Sequence, residues 1–231
     1  MRFTLFIPIQ DEIEGLRVIM PRINRAWVDE ILILDGGSTD GSREYLLSIG
    51  HDVVQQTTSG IKAAFWEAFE QATGDVIIPF SPDGNSIPED IPRLIDQINL
   101  GYDIVIPSRY LPPASSKDDD FVSGLANYFF TKLINYFFAT KVTDGLGMYK
   151  AFYKKHLYTL GIDRHKTEHS EYLITARGAR YGLKIIEIAS GEPGRLGAPG
   201  TRAHPGIFGK YKSGALMLFG ILRDAIYYWP K

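Results

Sequence analysis

The chain of 231 residues contains no cysteine, so neither disulfides nor thiolate metal centres can form. Long hydrophobic runs are missing as well. The best stretch, GALMLFGIL at 214–222, is nine residues long before Arg223 and Asp224 interrupt it, and a spanning helix needs roughly 20. Neither sign of charge dominates. With 25 basic and 27 acidic residues the net charge is −2, which excludes the broad attraction to nucleic acid that a basic domain exerts. The opening stretch, MRFTLFIPIQDE, has one Arg and no small-residue cleavage pattern, so it reads as a strand and not as a signal peptide. A cytoplasmic chain, at most peripheral at the inner face of a membrane, is the expectation.

What the chain does have is a regular first half. Short β-branched runs occur at 3–9, 30–35, 52–57, 75–80 and 103–108, and helix-patterned stretches at 12–24, 41–49, 61–73 and 88–99 lie between them. The runs are continuously apolar instead of alternating, as in strands covered on both faces of a parallel sheet. The order βαβαβαβ implies an α/β, doubly wound, mostly parallel sheet with helices on both faces, which binds ligands beyond the carboxyl ends of its strands. The second half is less regular. A helix over 123–138 places Asn127, Thr131 and Asn135 on one narrow polar stripe and is otherwise apolar and aromatic. It reads as a core helix, with a lipid-facing helix as the alternative. A strand at 147–153, a helix near 169–181, a strand at 183–189, a Gly/Pro-rich loop at 191–209 and an amphipathic helix at 210–229 complete the pattern.

Two carboxylates stand where strands end. In ILILDGGSTDGS (31–42), four apolar residues run into Asp35. The glycines behind it have neither the spacing of a dinucleotide fingerprint nor the lysine of a P-loop. Ser38 or Asp40 could cap the next helix, which leaves Asp35 unexplained. After the fourth run, Asp83 sits between Pro82 and Gly84, with Asn85 and Ser86 behind. This is either a plain turn before a helix or the oxygen-donor set a hard cation prefers. HKTEH (165–169) fits an inverted zinc-protease signature, but its place in a loop argues against that use. Asp118–Asp120 reads as a solvated loop, and His51, His156 and His204 read as surface residues.

Taken together, IPIQDE (7–12), ILILDGGSTDGS (31–42), SGIKAAFWEAFEQATGDVII (59–78), FSPDGNSIPE (80–89), IPSRY (106–110) and TDGLGMYKAF (143–152) resemble family 2 glycosyltransferases. The nearest branch is the dolichol- or polyprenyl-phosphate hexosyltransferases, and the likeness runs from about residue 3 to 200. It implies a single GT-A-like domain: a nucleotide-sugar half at 1–110, an acceptor half at 111–209 and a C-terminal amphipathic helix at 210–231. The implied reaction moves a hexose from a UDP- or GDP-sugar, with inversion, to a polyprenyl phosphate. Transfer to a sugar hydroxyl in polysaccharide synthesis and a catalytically silent nucleotide-sugar binding protein are the alternatives.

The resemblance also assigns residues. Asp35 reads the nucleotide base, Glu12 with Pro8 contacts base or ribose, and Gly60 and Lys62 belong to the donor-binding block. Asp83 and Asn85 hold Mg²⁺ or Mn²⁺. Ser81 stands where the family's Asp-x-Asp has its first aspartate, which implies weaker metal binding. Arg109 and Arg195 hold phosphate, Asp144 is the acid of the family's later block, and Lys150 stands near a basic position. Gln10 and Asp11 replace the family's Tyr and Asn. A strand-end site carries little packing, so Asp35→Ala is expected to lose nucleotide without losing the fold.

Overall fold

The strand runs are continuously apolar because each strand is buried on both sides. In the computed structural model, which describes residues 1–117, 121–162, 170–196 and 207–227, the strands are β1 (Phe3–Ile9), β2 (Glu30–Asp35), β3 (Val54–Gln55), β4 (Val76–Pro79), β5 (Ile104–Ser108), β6 (Ala151–Tyr153) and β7 (Ile185–Ala189). Phe6, Leu34, Ile77 and Ile106 join a core on one face, and Ile7, Ile33, Ile78 and Val105 join a second core on the other. That is the period-2 alternation of a pleated strand, with both faces dry.

Helices α1 (Ile13–Ile19), α2 (Ser42–Ser48) and α4 (Asp90–Asn99) cover the second face with Leu16, Leu46, Leu94 and Ile98. The first face is covered by α3 (Ile61–Gln71), α5 (Phe121–Phe138), α6 (Lys155–Thr159), α7 (Ser170–Arg180) and α8 (Ile207–Tyr227). On that side Phe6, Phe65, Phe69 and Phe152 meet edge to face at centroid distances of 5.2–6.0 Å.

The sheet order is β3-β2-β1-β4-β6-β5-β7. All pairings are parallel except those of β6, which runs antiparallel between β4 and β5. The regular alternation of the first half therefore misleads at one point: β4 and β5 are not neighbours. Other boundaries moved for local reasons. The helical pattern at 12–24 stops at Ile19, because Pro21 imposes a short 3₁₀ turn over Met20–Arg22. At the sheet edge β3 shrinks to two residues, and the N–H groups of Thr57 and Thr58 donate to the Glu67 carboxylate of α3.

α8 is fixed by a buried ion pair. Arg177 Nε of α7 donates to Asp224 Oδ2 at 2.9 Å, and its Nη1 reaches the carbonyls of Leu160 and Gly161. Both side chains are almost fully enclosed. Asp224→Ala therefore takes a buried carboxylate partner away from the Arg177 guanidinium. It is expected to lower unfolding stability by about 3–5 kcal/mol, read from the denaturant midpoint. A midpoint unchanged from wild type would mean the pair does not anchor α8.

Candidate active site

Because β1, β2, β4, β5 and β7 are parallel, their carboxyl ends share one edge of the sheet. A cleft of about 800 Å³ opens there. Its wall includes Pro8, Glu12, Gly60, Lys62, Ser81, Asp83, Asn85, Arg109, Asp144 and Arg195, so the structure brings together the residues proposed from sequence with two exceptions.

The first exception is Asp35, which is 1% exposed and does not line the cleft, although its neighbour Gly36 does. Asp35 Oδ1 accepts from the backbone N–H of Gly37 and Ser38 and from the Ser38 hydroxyl, at 2.8–3.1 Å. Arg43 lies 3.7 Å from Oδ2. The carboxylate thus closes its own turn. The second exception is Lys150, which is 1% exposed and donates to Thr175 Oγ1 of α7 instead of facing the cleft.

In the rest of the Ser-Thr-Asp-Gly-Ser run, Asp40 Oδ1 accepts from Ser42 N at the start of α2, as a cap would, and the run does more than that. Ser38 Oγ accepts from Asp11 N, Ser42 Oγ from Glu12 N and Asp40 Oδ2 from Ile13 N. These side chains satisfy the open N–H groups at the start of α1, a different helix from the one that follows them. Burial works to raise the Asp40 carboxyl, but the hydrogen bonds from Ser42 and Ile13 outweigh it and hold it below its ordinary value. The β2–α2 loop and the Gln-Asp-Glu segment are in effect one stapled unit. Gly15, on α1, lies so close to the Pro82 carbonyl that a Cβ would collide with it. This close approach brings the start of α1, with Glu12, beside Asp83.

At the metal-motif turn, Asp83 is 1% exposed. Its Oδ1 accepts from Asn85 N at 3.2 Å, and its Oδ2 is paired with Arg195. The Leu196 N–H donates to the Asp83 carbonyl at 2.7 Å. At Gly84, with φ +88, a side chain would run into Leu196. The loop carrying Arg195 is thus seated on the turn carrying Asp83. Glu12 feels both: burial first, then the charge of Asp83, push its carboxyl up to about 7, with Arg195 acting in the opposite direction.

On the other wall, Arg109 forks onto Asp144 through Nε–Oδ2 at 2.6 Å and Nη2–Oδ1 at 2.9 Å, while Nη1 reaches Glu192 at 3.2 Å. Burial opposes the guanidinium charge but is outweighed by Asp144 and Glu192, so Arg109 is held above its ordinary value. Burial likewise works against the Asp144 carboxylate, and the Arg109 bonds overcome it and keep the group below the usual range. Sequence reading missed the supports. Glu187 of β7 accepts from Thr143 N and Asp144 N. The polar stripe of α5 faces the same segment: Asn127 Nδ2 donates to Asp144, Thr131 Oγ1 accepts from Gly145 N, and Asn135 bonds both N–H and C=O of Val142. The stripe was visible at i, i+4 and i+8, but not what it holds.

His156, expected at the surface, is 6% exposed and sits 3.2 Å from Asp103. HKTEH and Asp118–Asp120 lie outside the described residues. Among the described residues no group of three or more His, Asp or Glu side chains could hold a metal. Asp83, Asn85 and Ser81 nevertheless offer hard oxygens of the kind Mg²⁺ takes when one or two carboxylates and a substrate's phosphates share it.

The placement of Asp35 overturns the expectation that its removal spares the fold. Asp35→Ala strands three donors in the turn and should cost about 1–3 kcal/mol of unfolding stability, seen as a lowered denaturant midpoint. Equal midpoints would return Asp35 to a purely ligand-facing role. Glu12 gives a pH signature in metal-free protein. Its folded value near 7 lies above the ordinary 4.5, so its stabilising contribution is full below 4.5 and lost as pH rises through 7. Wild type minus Glu12→Gln stability should therefore fall across that window, and a flat difference would contradict the assignment.

The cleft and its strand order can now be set beside known proteins. The family model "Glycosyl transferase family 2" matches residues 5–161. An undecaprenyl-phosphate 4-deoxy-4-formamido-L-arabinose transferase from Pectobacterium atrosepticum is 29% identical over 199 residues, covering 80% of this chain and 58% of the relative. One of the same name from Pseudomonas fluorescens is 34% identical over 118 residues, covering 46% and 35%. The chain thus spans less than two thirds of the length of these relatives. Among solved structures, glucosyl-3-phosphoglycerate synthase from Mycobacterium tuberculosis with Mn²⁺ and UDP-glucose superposes with a TM-score of 0.69 at 17% identity, over 97% of this chain and 78% of that one. The same enzyme with Mg²⁺ and UDP gives a TM-score of 0.70 at 18% identity, covering 97% and 79%. The fold is therefore the GT-A-like α/β architecture expected from sequence, and the chain belongs to glycosyl transferase family 2.

Proposed function

We propose that the chain transfers a hexose, with inversion, from UDP- or GDP-sugar to a polyprenyl phosphate. The observation that carries the acceptor is the state of the cleft carboxylates. Asp144 and Glu192 are paired with Arg109, and Asp83 is paired with Arg195. A hydroxyl acceptor needs a general base within reach of its proton, and Asp144, gripped by a guanidinium and held below the usual carboxylate range, is a poor one. A phosphate monoester, with a second pKa of about 6, arrives ionised and needs only cations to hold it. The names of the relatives, which act on undecaprenyl phosphate, support the same class.

The nucleotide lies over the ends of β1 and β2, against Pro8, Gly36 and Gln56, on the turn that the buried Asp35 closes from behind. Asp83, Asn85 and Ser81 would hold Mg²⁺ or Mn²⁺. An ion bound there would supply charge stabilisation to the departing nucleoside diphosphate. Arg195 and Lys62 screen the same phosphates. Arg109, fixed by Asp144 and Glu192, positions the attacking phosphate.

A second reading rests on Glu12, whose carboxyl near 7 suits a general base for a sugar hydroxyl. Radiolabelled UDP- and GDP-hexoses offered with undecaprenyl phosphate in detergent and with soluble saccharides separate the two. Label should move into the lipid, and Arg109→Ala should reduce that transfer by about 10²–10³. Arg109→Lys should not restore it, because an ammonium cannot replace the fork. Transfer to a soluble saccharide, abolished by Glu12→Gln, would sink the lipid reading.

A further inference from the structure

We propose that the outer faces of α5 and α8 together form a docking surface for an anionic lipid bilayer. Each helix already has one satisfied face. On α5, Asn127, Thr131 and Ile134 face inward, and on α8, Ile221, Asp224 and Ala225 do. The helices pack side by side: a Cβ at Gly214 would lie 3.8 Å from the Phe130 ring. The opposite faces carry large apolar side chains left in water. Val122, Leu125, Phe129 and Tyr136 recur at helical spacing on α5, and Phe219, Leu222 and Ile226 do so on α8. Tyr136 is 81% exposed, Phe219 67% and Ile226 79%. A soluble protein seldom leaves so large a contiguous apolar patch without a partner.

Charge selects the occupant. The two helices contain four basic residues and one acid, in a chain whose 25 bases are outnumbered by 27 acids. The one acid, Asp224, is buried against Arg177, while Lys132 and Arg223 remain exposed. Among the described residues of the two helices the exposed charges are basic, Lys132 and Arg223, and an apolar face with such a border matches an anionic headgroup layer, with aromatic rings at its boundary. Among the described residues no helix is long and apolar enough to cross a membrane, so the proposed contact is in plane. The Asn127 side of α5 bonds Asp144, so the lipid face lies directly behind the Arg109 pair. This deepens the lipid-acceptor reading by naming the surface that meets the lipid.

The full chain, with neither donor nor polyprenyl phosphate present, is sedimented with phosphatidylcholine vesicles with and without phosphatidylglycerol. Failure here would therefore be independent of failure of the transfer assay. The chain should pellet with the anionic vesicles and much less with the neutral ones. Phe219→Glu combined with Tyr136→Glu should weaken partitioning roughly tenfold or more, with the circular dichroism of the fold retained. Lys132→Gln, at an exposed position that cannot unfold the core, should weaken it about fivefold. A wild-type chain that stays in the supernatant overturns the proposal. Light scattering then tells whether the face instead joins two copies, as a dimer dissolved by Phe219→Glu. Undiminished pelleting of the folded Glu variant, or of Lys132→Gln, also overturns it.

Discussion

The buried contact between Arg109 and Asp144 is the constraint around which the cleft is arranged. A guanidinium and a carboxylate removed from water lose several kcal/mol of hydration each, and the pair survives only where geometry is bidentate and the remaining donors and acceptors are used. Here they are. Glu192 takes the third arm of Arg109, Asn127 adds a donor to Asp144, and Glu187 accepts the backbone N–H groups of Thr143 and Asp144. This one contact therefore fixes the relative positions of β5, β7, α5 and the 142–145 segment. An apolar replacement of the same volume would hold these elements at least as well. The reason for a charge at this place lies in what enters the cleft.

Charge counting across the cleft points the same way. Four carboxylates, Glu12, Asp83, Asp144 and Glu192, face three cations, Lys62, Arg109 and Arg195. Burial and Asp83 push the Glu12 carboxyl up to about 7, so near neutral pH it is only partly ionised, which brings the two signs towards balance. On the proposed function, a diphosphate entering this cleft would add negative charge that the protein does not cancel. A divalent cation would be the complement, with Ser81 offering only a neutral oxygen beside Asp83. Arg195, already on Asp83, shows that this spot accepts a positive group.

Much of this was legible in the sequence, for identifiable reasons. Strands buried on both faces write themselves as unbroken apolar runs, so β1, β2, β4 and β5 were found to within a residue, and the parallel sheet followed. The edge strand β3 and the three-residue β6 were drawn too long, because their backbone groups are satisfied by Glu67 or by a short antiparallel insertion that no local pattern announces. Candidate residues were found where chemistry is unusual, at a carboxylate ending a strand or an arginine after one. Glu187 and Glu192 were missed because a supporting acid looks like any other until its partner, 43 or 83 residues away, is placed beside it. Ser38 and Asp40 looked like caps for the helix they precede; Asp40 does bond the first N–H of that helix, and both also hold the start of one that comes earlier in the chain.

α5 meets both the cleft and the solvent. Its sequence is too apolar for a surface helix and too polar along one line for a core helix, and both descriptions hold on different faces. The polar line is inside, because a loop with open N–H and C=O groups must be held there and Asn, Thr and Asn at successive turns supply both donors and acceptors. The apolar face is outside, where ordinary folding would place lysines and glutamates. The inner side also carries Phe130, Ile134 and Phe138 into the core, so the helix is apolar on both faces. Its polar line is stable there only if the inner hydrogen bonds are complete, and Asp144 is one of the groups that completes them. The geometry of the Arg109 pair and the exposure of the outer face are thus two consequences of a single helix pattern.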